Sequence, residues 1–238
     1  MLVSKDRARL VLRKKRVRSL LNCLLVAFLL FQMTRQFLPG AVHEAAGIVF
    51  VVLIVVHNVV ARRWYTGLVR GQGSLRRVLV TAVDLALAVV FVGVAVCGLG
   101  MSGIAVSLGV VGHTMQLRSA HIALTHLGFL LAGIHLGMHA MPAARKAGQV
   151  LTARTGGVAA RVVGLVLAGL AAAGGAYAFS ALDFAGYILM QTRFAFIDPN
   201  QSVALFVLEH LAVLAFSALV GLVLATLATK RAPGKTKG

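Results

Sequence analysis

The chain has 238 residues, 59% of them apolar and only 13% charged, with a formal net charge of +18. A water-soluble domain carries about a quarter charged residues, so this composition excludes a soluble enzyme or a soluble nucleic-acid-binding domain and makes lipid the solvent for most of the chain. Hydrocarbon offers no partner to backbone N–H and C=O groups, so the long apolar runs are predicted to be helices, and the fold class is an all-α polytopic membrane bundle.

Residues 1–18 form a basic N-terminal segment, and the first apolar run extends from Ser19 to Leu38. A basic start before an apolar run imitates a secretory signal, but no small-residue cleavage site separates Leu38 from the next span, so the run is read as a retained first span. Further apolar runs extend over Val42 to Ala61, Val78 to Met101, Ala120 to Met141, Val162 to Phe179 and Val203 to Thr229. Each is close to the roughly 20 residues that a helix needs to cross a bilayer. The reading is six transmembrane helices, divided into a four-helix part at 19–142, two additional spans with their loops at 143–229, and a basic tail at 230–238. Cys23 and Cys97 lie within spans and match neither a CxxCH haem-attachment site nor a zinc pair, so both are read as inert small core residues and any haem as non-covalently bound.

The basic charge is distributed in keeping with this layout. With the N-terminus inside, Lys5, Arg7, Arg9 and the rest of the N-terminal cluster, the loop group Arg62, Arg63, Arg70, Arg76 and Arg77, the group Arg145, Lys146, Arg154 and Arg161, and the tail all fall on the cytoplasmic side. They total 21 of the 24 Lys and Arg residues, leaving Arg35, Arg118 and Arg193 outside. This positive-inside bias predicts cytoplasmic termini and a multi-pass protein of the cytoplasmic (inner) membrane, and it explains the charge without nucleic acid as a partner.

Eight histidines need a reason in so apolar a chain, because polar side chains within a membrane are costly and face partners. His43 and His57 on the second span are 14 residues apart, and so are His121 and His135 on the fourth. On a helix that is about 21 Å of rise and about 40° short of four turns, so each pair lies near one face. One span intervenes between the second and the fourth, so the two run in the same direction in an up-and-down bundle. His43 is then predicted to face His121 towards the outside and His57 to face His135 towards the cytoplasm, each pair across a flat macrocycle. Two imidazoles saturate a haem iron, which points to two b haems and electron transfer rather than oxygen chemistry. His139, one turn beyond His135, is an alternative inner ligand or a partner to the ligand shell.

The remaining positions carry weaker expectations. His113 is placed in an outer loop, His126 lies about 140° off the His121 face, and His210 stands alone on the sixth span; the three are read as interface or satisfied core residues. Arg35 and Arg118 near the outer histidines, and Arg62 and Arg63 after His57, can pair with haem propionates. Gly47, Gly93, Gly98 and Gly128 are assigned to helix packing, and Gly133 and Gly137, flanking His135, to haem clearance. Asp84, alone in the third span, is a proton relay, a quinone contact or a hydrated residue near the cytoplasmic end.

Two stretches resemble a known family, the flavinylation-associated cytochrome domain: HEAAGIVFVVLIVVHNVVARRWYTGLVRG from His43 to Gly71 and HIALTHLGFLLAGIHLGMH from His121 to His139. They are similar to the family's HE-x-x-G...HN...RRWY and H...WGF...HLGLH segments, within about 19–142, and a weaker likeness runs from Tyr187 to Asp198. The resemblance implies haem binding through His43, His57, His121 and His135 or His139, and an extracytoplasmic partner carrying covalent flavin. The chain departs from the pattern at His126 and Leu127, where an aromatic pair is usual, and at Ala140, where Trp is common.

These readings converge on a di-haem conduit that takes electrons from a cytoplasmic or quinone donor to an outward-facing flavin-bearing redox protein, as a subunit of an oxidoreductase system and not a self-contained catalyst. One alternative is the cytochrome b subunit of a quinone-linked dehydrogenase. A second is a membrane metal oxygenase built on His135 and His139, for which the sequence lacks the further histidine boxes and carboxylates that a di-metal centre would need. A third, a transporter with histidine proton relays, lacks an inverted repeat.

Overall fold

The computed structural model describes residues 2–68, 74–109, 114–192 and 200–230. The chain is 90% helical without strands among the described residues, and six of its helices are long and apolar enough to cross a membrane. The all-α polytopic architecture expected from the composition is therefore present. Two compact units divide it, Met1–Gly71 and Gln72–Gly238.

The first unit is an antiparallel helical hairpin. Helix α1 runs over Leu2–Met33, tightens into a 3-10 turn at Thr34–Phe37, and leads to α2 at Gly40–Val60. Pro39 pre-sets the backbone just ahead of α2, and its carbonyl accepts from the Val42 and His43 amides. Gln32 Nε2 donates to the His43 carbonyl at 3.4 Å at one end of the hairpin, and Arg18 reaches the Val60 carbonyl at 3.4 Å at the other. After Ala61 a short helix, α3 (Arg63–Leu68), brings Tyr65 back to donate to Asn58 Oδ1 at 2.5 Å. The basic N-terminal segment expected to be separate from the first span continues into it as one helix, because Lys and Arg are good helix formers and a charge cluster ends a span without ending a helix.

The second unit holds α4 (Leu75–Gly100), α5 (Gly103–Ser107), α6 (Met115–Thr155), α7 (Gly157–Ala181), α8 (Phe184–Ile188) and α9 (Val203–Lys230). Ser74 and Thr114 cap α4 and α6 by accepting from the Arg77 and Leu117 amides. Contacts fix the directions. Val90 lies by Gly128 and Val94 by His121, so α4 and α6 are antiparallel; Phe129 lies by His210 and Met141 by Ala225, so α6 and α9 are parallel.

Gly133 and Gly137 do not clear space for a cofactor. A Cβ on Gly137 would strike the Ala218 carbonyl, one on Gly221 the Ile134 carbonyl, and one on Gly133 the Ser217 side chain. The two helices touch backbone to backbone, as small residues allow in lipid, where dispersion and not the hydrophobic effect holds helices together. Gly175 of α7 approaches Phe216 and the Ala212 carbonyl of α9 in the same way. The last span is thus built into the centre of its unit, and Met138, Met141 and Ala225 form a buried cluster there.

Two further expectations are corrected. The helix that carries the fourth span does not end near Met141: α6 passes through Pro142 and stops before Gly156, whose φ of 83° suits glycine. Pro142 removes one intrahelical hydrogen bond, while the Ala, Arg, Lys and Gln residues after it favour helix strongly enough to continue it. Cys23 is exposed on α1 and is not a core residue, and Cys97 is half-buried.

Candidate functional site

Among the described residues of the second unit, Asp84, His135 and His139 cluster where α4 faces α6. The Asp84 side chain, 12% exposed, has Oδ1 2.8 Å from His135 Nδ1 and 3.3 Å from His139 Nε2, and its Oδ2 is 3.4 Å from the same His139 nitrogen. His135 and His139 are four residues apart on α6, so their rings are neighbours, tilted by 45° with centroids 4.5 Å apart. One nitrogen from each ring and a carboxylate oxygen all lie within 4.8 Å of one another, which is a set of atoms able to hold a metal ion.

His121 is held by the same pair of helices at a second level. Its Nδ1 is 3.2 Å from the Val94 carbonyl, and its ring lies 3.2 Å from where a Cβ on Gly98 would stand. A carbonyl only accepts, so Nδ1 carries the proton and the lone pair of a neutral ring sits on Nε2. The Asp84 carboxylate imposes the same tautomer on His135. His139 is turned the other way, with Nε2 towards Asp84.

His126 and His210 form a separate group. Each Nδ1 donates to the carbonyl four residues back in its own helix, Ile122 at 2.8 Å and Phe206 at 2.9 Å. The His126 ring stacks on Tyr187 at 4.5 Å and meets Phe184 edge-on at 4.9 Å, and His210, only 3% exposed, packs among Phe129, Phe184 and Phe206. Both are satisfied core residues, as their sequence positions indicated. The short helix α8 that supplies Phe184 and Tyr187 is fixed by Asp183, whose carboxylate accepts from the Gly186 amide and from Thr192 Oγ1 at 2.6 Å.

In the first unit His43 and His57 are both half-buried on α2. The HN...RRWY stretch has a local architecture of its own: Asn58 Nδ2 donates to the Ile54 carbonyl at 2.8 Å, its Oδ1 accepts from Tyr65, and the Trp64 ring sits edge-on to Tyr65. Arg35 spends one guanidinium nitrogen on the Leu38 carbonyl at 2.9 Å, closing the turn before α2, and Arg118 is exposed in the first turn of α6. His113, Arg70, Arg193 and the end of the Tyr187 to Asp198 stretch lie outside the described residues.

Sequence alone did not reveal the partnership of Asp84 with His135 and His139. It follows once the register is known: in an antiparallel pair with Val94 opposite His121, moving along α6 to His135 brings Asp84 to within about a turn. Comparison of the chain with protein families, with curated proteins and with solved structures finds no match.

Proposed function

We propose that the chain is a b-type di-haem electron-transfer protein of the membrane, with His43, His57, His121 and His135 as the axial imidazoles. The observation that carries this reading is the repeated 14-residue spacing, which sets two histidines near one face of each of two spans. The ring geometry of the α6 pair supports it. Both His121 and His135 commit Nδ1 to an acceptor on α4, and so present the lone pair on Nε2, the arrangement by which proteins orient metal-bound imidazoles. The same geometry favours His135 over His139, whose Nε2 is turned to Asp84.

A b haem, when bound, supplies a reversible one-electron couple at an iron with no open position. The chain does the remainder. Helix α4 accepts the Nδ1 hydrogen bonds of His121 and His135, the apolar spans exclude water, and His139 shares the Asp84 carboxylate from the half-exposed side. The basic residues orient the protein with His135 towards the cytoplasm; the reading adds a cytoplasmic or quinone donor on that side and an extracytoplasmic redox protein as acceptor, which the family resemblance makes a flavin carrier. The departure of His126 from that family's aromatic pattern is compatible with it, since His126 stacks on Tyr187 as an aromatic ring does.

The test is a reduced-minus-oxidised spectrum with pyridine haemochrome quantitation on detergent-purified protein. Two b haems per chain are expected, and His57→Ala and His121→Ala should each retain one. Absence of a Soret band overturns the reading.

The atom set of Asp84, His135 and His139 favours a second reading, a divalent transition-metal centre of two imidazoles and one carboxylate. The carboxylate that such a centre needs, and that the α6 sequence lacks, is supplied by α4. This reading predicts about one non-haem metal per chain by elemental analysis, with no Soret band.

A further inference from the structure

We propose that Asp84 is a positioning residue that makes the haem held at His135 the lower-potential of the two, so that the electron step from His135 to His121 runs downhill. This rests on the di-haem reading above. The two α6 imidazoles differ in what accepts their Nδ1 proton: a neutral carbonyl, Val94 O at 3.2 Å, for His121, and a carboxylate at 2.8 Å for His135. A carboxylate pulls the Nδ1 proton towards itself, lends the ring imidazolate character and makes Nε2 the stronger donor. A stronger donor stabilises the ferric over the ferrous iron, which lowers the potential. The negative charge acts in the same sense through space, and it is weakly screened because the Asp84 side chain is 12% exposed and sits within an apolar span. No other Asp or Glu occurs on α4 or α6, so nothing on these helices repeats the effect at His121.

His139 moderates this effect without cancelling it. It donates to the same carboxylate, but at 3.3 Å and 3.4 Å, longer than the His135 contact. With His135 on the cytoplasmic side, one electron passes downhill from ferrous iron at His135 to ferric iron at His121, the first being reoxidised and the second reduced, with no proton or group transferred. A reduced quinol or cytoplasmic flavin resupplies the first, and an oxidised flavin carrier drains the second.

Redox titration of the purified protein, followed in the α-band, tests the inference. Two waves are expected. Asp84→Asn keeps the shape and an acceptor oxygen but removes the charge, and should move the lower wave upward while the upper stays and both haems are retained. Asp84→Glu, which keeps the charge, should leave both waves near their original places. His121→Ala reads the same order without touching Asp84: the single haem it retains should titrate with the lower wave, which decides the matter even where Asp84→Asn does not assemble. An Asp84→Asn protein whose lower wave does not move, or a His121→Ala protein that keeps the higher wave, overturns the inference while leaving the di-haem reading intact. A chain with no α-band overturns both, and is told apart from an unmoved wave by the absence of haem itself.

Discussion

At the scale of single residues, the chemistry turns on which nitrogen of each imidazole is committed. His139 differs from His135 by one helical turn, yet the two rings present opposite nitrogens to Asp84. The consequence is testable by truncation. His139→Ala is expected to keep two haems per chain, because Asp84 still holds His135, whereas His135→Ala is expected to lose one; haemochrome quantitation reads both. If the centre is instead a divalent metal held by the triad, His139→Ala abolishes metal binding in elemental analysis. The candidate ligands were legible in the sequence because helical spacing is arithmetic. Their tautomers were not, since these depend on an acceptor about 30 to 50 residues away on another helix, and Asp84 read by itself gave no sign of which face it turned to α6.

At the scale of elements, helices were legible from composition, but their ends and mutual contacts were not. Charges mark where hydrocarbon stops and not where helices stop, which is why α6 continues past Pro142 to Thr155. Glycine is ambiguous in sequence, because the same absence of Cβ clears a porphyrin or a neighbouring backbone; Gly137 proves to face the Ala218 carbonyl. Overpacking a close contact costs about 1 to 3 kcal/mol where neighbours can shift, and here the obstacle is backbone. Gly137→Leu and Gly221→Leu are therefore expected to destabilise the purified protein by at least that much, as a lowered midpoint in thermal or denaturant unfolding. Gly164→Leu on α7, where an added Cβ would meet nothing within 4 Å, is the control and should leave the midpoint unchanged. A smaller effect is expected from Tyr65→Phe, which deletes the bond to Asn58 Oδ1 at the exposed α2–α3 corner and should cost about 0.5 to 1.5 kcal/mol.

At the scale of the whole molecule, the length of α6 adds to the argument from charge. Its 41 residues rise about 62 Å, roughly twice the hydrocarbon thickness of a bilayer. One end must therefore stand in water, and the end that carries Arg145, Lys146 and Arg154 is exposed along nearly all of its surface. By the positive-inside rule the three cations on that projection, like the clusters at the termini, predict a cytoplasmic location for it. In a chain with Cys23 and Cys97 replaced by Ala, a membrane-impermeant maleimide added to intact cells should label Gln116→Cys, at the opposite end of α6, and leave Ala153→Cys unlabelled until the cells are opened. The reverse pattern would invert the protein in the membrane. The Asp84 level would then face outward, and the downhill path inferred from it would carry electrons into the cell instead of out, so this one labelling experiment fixes the sense of flow that the redox titration leaves relative.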